Sequence, residues 1–477
     1  MATPIPDNQT EWSVYAVRAA TAGDVVHLHD EGQARGLTSD SRRVTPGAVF
    51  VALRGEKFDG HDHVHDAIGR GAHTVVVERG RGSGITGVNV VEVSDTLRAW
   101  GALARAHLRA WRRGDQNRRV IAITGSVGKT STKDWTAGLL GTLAPTIATV
   151  GNLNNLIGLP ATVFTVRDEH RFAVLEAGMS IPGEIAALGS YARPDISVVT
   201  NVGLAHVAQL GSRAGIAREK GALFATTDED GTAIANADDE AVMGELLRTR
   251  AAKTFTFGKS EHADVRLVSR AVGAGGVTLL CYHVRGIGEV RFEPLPYIPA
   301  VQAFNLAAAL AVYLRAVGSL PSAASITAAW NSMPRAGRGL VHQSPAGYLV
   351  IDDTYNANPD SMRAALATLS ELAAQGRAVA VLGEMRELGD ASHAAHAALG
   401  EQVADAGVMR LLTLGGDAGL AAKSAAARGV VATACEDVEQ AAAMLAAEVR
   451  PSDVVLVKAS RGIAAERVVA HLLGRKE

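Results

Sequence analysis

One passage constrains this 477-residue chain more than any other: the apolar run VIAIT at 120–124 leads without a break through TGSVGKTST at 124–132 into the helix-patterned DWTAGLLGTL at 134–143. A buried strand, a glycine turn and a helix start, in that order, aim backbone N–H groups at an anion. Gly125 and Gly128 let the backbone turn, Lys129 can reach the outer phosphates of a nucleotide, and Thr130 can offer its hydroxyl to Mg2+. Thr124, Ser126, Val127 and Ser131 complete the cradle. The string departs from the general phosphate-loop pattern, because residue 123 is Ile. An ordinary glycine-containing turn is the bland alternative, and Lys-Thr at the helix start weighs against it. Only nine of the 47 basic residues are lysines, so a lysine inside a motif stands out.

The loop is set in a βα alternation. FAVLEAG and DISVVTNVG are further strand-like runs, each followed by a glycine turn and a helical pattern, as in a parallel sheet covered by helices. Upstream, short apolar runs broken by Gly, Asp and Arg describe a small mixed α/β unit, followed by a helix over 95–113 that Ser94 or Asp95 would cap. Downstream of the Gly- and Pro-rich joint RAGRGLVHQSPAG, the runs YLVIDD, AVAVLGEM, RLLTLGG and DVVLVKAS describe a second sheet of Rossmann type. The expectation is an α/β protein of three domains, at residues 1–93, 94–335 and 336–477, in line with about 150 residues per domain.

Several function classes are disfavoured. A formal charge of -2, with 47 basic against 49 acidic residues, and 4% aromatics offer neither a basic surface nor stacking platforms for nucleic acid. Cys281 and Cys435 lie far apart in no CxxC context, which fits a reducing, cytoplasmic compartment. The first residues lack the basic and apolar regions of a signal peptide. The longest apolar stretch, 303–314, is shorter than the roughly 18 residues a membrane span needs.

The compressed TGSxGKT loop resembles that of the Mur ligase family, and further motifs follow in order. They are GNLNNLIGLP at 151–160, LEAGMSIPGEI at 175–185, TNVGLAHVAQLGS at 200–212, EKGALF at 219–224, DDTYNANPDSM at 352–362, AVLGEMRELG at 380–389 and VVLVKASRG at 454–462. YNANPDSM with GEMRELG favours the dipeptide-adding branch of the family. The resemblance implies a small N-terminal UDP-binding domain, a central phosphate-loop ATPase domain and a C-terminal Rossmann-like domain. It also implies an ATP-dependent ligase that joins D-alanyl-D-alanine to a UDP-N-acetylmuramoyl tripeptide through an acyl phosphate. Another Mur-type or folylpolyglutamate-type amino-acid ligase is the alternative. The protein is expected to be a monomer with no nucleic-acid partner.

The same resemblance implies residue roles. Thr130, Glu176, His206 and Lys220 would hold Mg2+, with Lys220 carbamylated by CO2; a solvated surface lysine is the ordinary reading of that helix. Asn155 joins Lys129, Glu176, His206 and Lys220 as catalytic, while Asn152 and Asn154 orient phosphate or substrate; turn formation and capping are the alternatives for asparagine. Asn305 would read adenine, although the family's histidine four residues earlier is Val301 here. Arg338 would touch phosphate and Asp353 ribose. Asn356, Asn358, Lys458, Ser460 and Arg461 would face substrate, with Ala459 replacing the usual glycine. Ser39, Asp40, Ser41 and Arg42 would hold the uridine diphosphate, Arg42 by a forked contact. His61, His63 and His65 alternate as zinc ligands on a strand could, but no carboxylate or thiolate set completes such a site.

Overall fold

A computed structural model describes residues 3–55, 58–203, 212–273, 277–334, 337–374 and 376–475. Among them the strands form four sheets. Strands β1 (Glu11–Ser13) and β3 (Gln33–Arg35) make an antiparallel pair. A five-stranded sheet joins β2 (Asp24–His27), β4 (Leu37–Thr38), β5 (Val49–Val51), β6 (Thr74–Glu78) and β7 (Asn89–Val93) in the order β2-β7-β6-β5-β4.

The nine-stranded sheet contains β8 (Arg119–Thr124), β9 (Thr146–Ala148), β10 (Phe172–Glu176), β11 (Ile196–Val199), β12 (Thr232–Asn236) and β13 (Lys253–Gly258). It continues through β14 (Val265–Val272), β15 (Thr278–Val284) and β16 (Gly288–Leu295), in the order β16-β15-β14-β13-β12-β11-β8-β10-β9. Pairing is parallel from β9 across to β14 and antiparallel from β14 to β16. Residues 120–124 of β8 are all buried, which is why the sequence shows an unbroken apolar run instead of alternation.

The six-stranded sheet runs β17-β18-β22-β19-β20-β21, from β17 (Leu340–Gln343), β18 (Leu349–Asp353), β19 (Ala378–Gly383), β20 (Arg410–Leu414), β21 (Val431–Cys435) and β22 (Val454–Lys458). Only its edge strand β17 is antiparallel, so the four runs read from the sequence form one parallel Rossmann-like sheet with β21. Leu366, Leu399 and Leu411 fill one face, and Val381, Leu412 and Val468 the other. Each of the three larger sheets builds one of three α/β domains. By contacts the chain forms two compact units, Met1–Val202 with Ala217–Tyr297 and Ala303–Ser332, and Gly203–Ile216 with Ile298–Gln302 and Met333–Glu477.

The helix expected over 95–113 is Thr96–Gly114, and the Asp95 carboxylate caps it by accepting the Arg98 N–H at 2.9 Å. Two patterns read from the sequence take a different form in the structure. The stretch 303–314 lies within an 18-residue helix, Ala300–Val317, long and apolar enough by length and composition to cross a membrane. Ala303 and residues 305–313 are buried in the protein, as in a core helix, and Asn305 merely interrupts the apolar run without shortening the helix. His61 and His63 lie on a 3-10 turn, Gly60–His63, and His65 on the helix Val64–Gly69, so they share no strand face. His61 is already engaged by Asp59 at 2.6 Å and by the Glu78 N–H at 2.9 Å.

Candidate active site

Strand β8 delivers Thr124 to the carboxyl edge of the nine-stranded sheet, and the helix Lys129–Gly141 begins five residues later. Two positive φ angles, +151° at Gly125 and +82° at Gly128, make the turn. A side chain could fit at neither: a Cβ on Gly125 would collide with the Thr200 hydroxyl, and one on Gly128 would sit 2.8 Å from Asn305 Oδ1. Lys129 folds back over the loop, donating from Nζ to the Gly125 carbonyl at 2.8 Å and to that of Ser126 at 3.1 Å. Thr130 and Ser131 are half-buried in the first helical turn. The Thr124 hydroxyl instead donates to the Ala177 carbonyl at 2.7 Å, a bond between strand ends.

Beside the loop, β10 ends on Glu176, 2% exposed. Its Oε1 accepts from Asn154 Nδ2 at 2.8 Å, and its N–H donates to the Thr149 hydroxyl at 2.9 Å. Lys133, buried in the phosphate-loop helix and paired with Asp134, donates to the Thr149 carbonyl at 2.9 Å and so fixes that support. Glu176 Oε2 is buried with no hydrogen-bond partner among the described residues. A buried carboxylate oxygen without a donor is costly unless a cation meets it, so this position fits a Mg2+ ligand.

Lys220 is 2% exposed and donates to the Gly125 carbonyl at 3.0 Å, 95 residues away in sequence. Burial, and then the positive charge of Lys129, hold its ammonium well below the ordinary lysine range, against a smaller opposite pull from Glu219. The surface reading of Lys220 is therefore wrong: the helix Arg213–Ala225 carries it inward to the phosphate loop. Glu219 anchors the same helix, accepting the N–H groups of Gly183 at 2.9 Å and Ile185 at 3.0 Å. Thr130, Glu176 and Lys220 belong to one unit of the chain, and His206 lies outside the described residues.

The remaining positions divide by partner. Asn155 precedes the helix Gly158–Val163, its Oδ1 accepting the N–H groups of Ile157 at 3.1 Å and Gly158 at 2.8 Å. Asn152 meets Thr3 at 3.4 Å. Arg42, with its side chain 82% exposed, forks onto Asp40 at 2.9 and 2.7 Å, while Ser39 and Ser41 are buried. Asn305 is buried against the phosphate loop at Gly128.

In the second unit Lys458 is buried, donating to Asp353 Oδ2 at 2.7 Å and to the Asn356 carbonyl at 2.8 Å. The Asn356 side chain accepts the Ala357 N–H at 2.9 Å. Asn358 forms a capping box with Ser361 at the start of the helix Pro359–Leu372. The Ser460 hydroxyl accepts the Arg386 N–H at 3.2 Å. The guanidinium carbons of Arg338 and Arg461 lie 3.8 and 5.1 Å from the centre of the Tyr355 ring.

Sequence reasoning missed Tyr355, which gathers those two arginines, and Thr200 and Asn201, which brace the phosphate loop. The available signal was position: a Thr-Asn pair immediately after the apolar strand ISVV stands at the ligand-binding edge of a parallel sheet.

Residues 33–107 match the Mur ligase family catalytic domain, residues 123–313 the Mur ligase middle domain and residues 337–461 the Mur ligase glutamate ligase domain. The chain belongs to the Mur ligase family. Three relatives locate it within the family, all of the MurF kind. The UDP-N-acetylmuramoyl-tripeptide–D-alanyl-D-alanine ligase of Escherichia coli (strain K12) is 36% identical over 380 residues, 80% of this chain and 81% of that one. The crystal structure of MurF from Acinetobacter baumannii superposes with a TM-score of 0.84 at 29% identity, covering 98% of this chain and 100% of that one. The MurF ligase from Thermotoga maritima in complex with ADP gives a TM-score of 0.80 at 30% identity, covering 92% and 97% of the two chains.

Proposed function

We propose that the chain is an ATP-dependent ligase that joins D-alanyl-D-alanine to a UDP-N-acetylmuramoyl tripeptide, yielding the pentapeptide precursor of peptidoglycan. The observation that carries this reading is Lys220, buried on the Gly125 carbonyl of a phosphate loop that also holds Lys129. Residues 1–93 would bind the UDP moiety through Ser39, Asp40, Ser41 and Arg42, residues 94–335 the nucleotide, and residues 336–477 the incoming dipeptide near Asn356 and Asn358. Arg42 would exchange its bond to Asp40 for a diphosphate oxygen. Asn305, Arg338 and Asp353 would contact the adenosine and phosphates, and Lys458, Ser460 and Arg461 the substrate. The protein would act in the cytoplasm as a monomer.

The substrate carboxylate attacks the γ-phosphorus of ATP, ADP leaves, and an acyl phosphate forms. The amine of the dipeptide then attacks the activated carbonyl, loses a proton and expels inorganic phosphate. Lys129 offsets the charge on the transferring phosphoryl group. Thr130, Glu176, His206 and a carbamylated Lys220 would hold Mg2+, which when bound adds further neutralisation of the phosphate oxygens. Carbamylation needs Lys220 as a neutral amine that takes up CO2 and releases a proton, and a buried position disfavours the competing ammonium. Asn154 aims the Glu176 carboxylate, and Asn155 shapes the neighbouring turn.

Phosphate release from ATP is expected with UDP-muramoyl tripeptide plus D-alanyl-D-alanine and not with single amino acids. Turnover restricted to single amino acids would overturn the dipeptide assignment, and binding without ADP formation would overturn catalysis altogether. Glu176→Gln keeps an acceptor for Asn154 but removes the charge. It is expected to raise the Mg2+ concentration for half-maximal rate by about 10-fold or more. An unchanged Mg2+ titration would remove Glu176 from the metal site.

A further inference from the structure

A phosphate loop works through backbone N–H groups that await an anion, yet in this loop two of them are already spent. The Ser126 N–H donates to the Asn201 carbonyl at 3.0 Å, and the Val127 N–H to Asn201 Oδ1 at 2.8 Å. Asn201 Nδ2 returns a bond to the Val127 carbonyl at 2.9 Å, so the side-chain amide meets the Val127 residue through both its polar backbone groups. The Thr200 hydroxyl donates to that same carbonyl at 2.6 Å, and the Thr200 N–H to the Thr124 carbonyl at 2.9 Å. Asparagine suits this task because one short planar group both donates and accepts; aspartate would only accept, and alanine would do neither.

Asn201 is held in turn. Asn236 Nδ2 donates to the Thr200 carbonyl at 2.9 Å, and Asp239 accepts the Val202 N–H at 2.7 Å. The brace thus extends from β8 through the end of β11 to the residues around the end of β12, within the unit that carries the loop.

We propose that Asn201 is a positioning residue that moulds the phosphate loop before nucleotide arrives. It withdraws the Ser126 and Val127 amides from the anion and directs the phosphates onto Lys129 and the opening turn of the helix Lys129–Gly141. Backbone donation from Ser126 and Val127 to the nucleotide, which the loop pattern alone predicts, is replaced by donation to Asn201. The proposal rests on the ATP-site reading above and is independent of which amine is joined.

Amide hydrogen exchange on the nucleotide-free wild-type protein is the direct test. The Ser126 and Val127 amides are expected to be protected already and to gain little on adding ADP. Fast exchange that slows only with ADP would overturn the proposal. Calorimetry with ADP adds a second reading: Asn201→Ala is expected to weaken binding by about 10- to 100-fold, Asn201→Asp to recover part of it, and KM for the UDP-tripeptide to stay near wild type. ADP binding by Asn201→Ala at wild-type affinity would overturn the proposal, whatever its melting temperature. If Asn201→Ala fails to fold, the wild-type exchange measurement decides alone. Normal ADP binding without dipeptide turnover would sink the ligase reading and leave this one standing.

Discussion

Lys129→Ala is expected to lower turnover by about 10³-fold or more while leaving the melting temperature within a few degrees of wild type. The asymmetry follows from what the side chain does. Its bonds to the Gly125 and Ser126 carbonyls close a local loop, and a single such bond contributes about 1 kcal/mol to stability. In the proposed reaction the same ammonium would face negative charge on the transferring phosphoryl group, where a fixed cation in a water-poor site matters far more. Lys129→Arg is expected to rescue little, because a planar fork does not reproduce a compact point charge between two loop carbonyls. ADP release and a thermal melt on the same preparations check both halves. Turnover near wild type would remove Lys129 from the phosphate site, and a collapse in melting temperature would make its role structural.

Lys220→Met is expected to abolish turnover and to stabilise the protein. Unfolded, Lys220 titrates near the ordinary 10.5; folded, burial and Lys129 hold it well below that. Between the two values the unfolded chain binds a proton that the folded chain does not, so wild-type stability rises with pH across that window. Below the depressed value both states are protonated and the folded state carries the full cost; above 10.5 both are neutral and the cost is gone. Methionine removes this dependence, with a gain at neutral pH of about 0.5–2 kcal/mol that shrinks as the pH approaches 10.5. Urea unfolding in CO2-free buffer at several pH values measures it. Equal stability of the two proteins at every pH would mean that Lys220 is not held in a charge-excluding site.

Much of the fold was legible because it is written in local pattern. Strand β8 shows as VIAIT because both its faces are covered, and Asp95 caps its helix through an N–H only three residues away. The four downstream runs are the parallel strands β18, β19, β20 and β22. The helix Ala300–Val317 extends beyond the apolar stretch 303–314 because Gln302 and Arg315, which bound that stretch, lie within it, and its buried Asn305 faces a glycine turn.

Roles were less legible than positions. Asn155 and Asn358 look like substrate contacts, yet the first bonds amides at a helix entrance and the second caps a helix, while Asn201 carried no marked role and holds the loop. Asparagine serves as donor, acceptor or cap according to what folding brings beside it. Arg42 lies at its motif position, with its fork on Asp40 two residues away.

The sequence by itself determined where a phosphate-binding turn must form, because Gly125, Gly128, Lys129 and Thr130 are neighbours whose geometry is set over a few bonds. It also determined the family, through ordered motifs along most of the chain. Only the tertiary structure decided that Lys220 is buried, that Glu176 carries an unmet oxygen, and that Asn201 takes two amides from the loop. Those properties arise from desolvation and from partners tens of residues apart in the chain, and neither is encoded in local spacing.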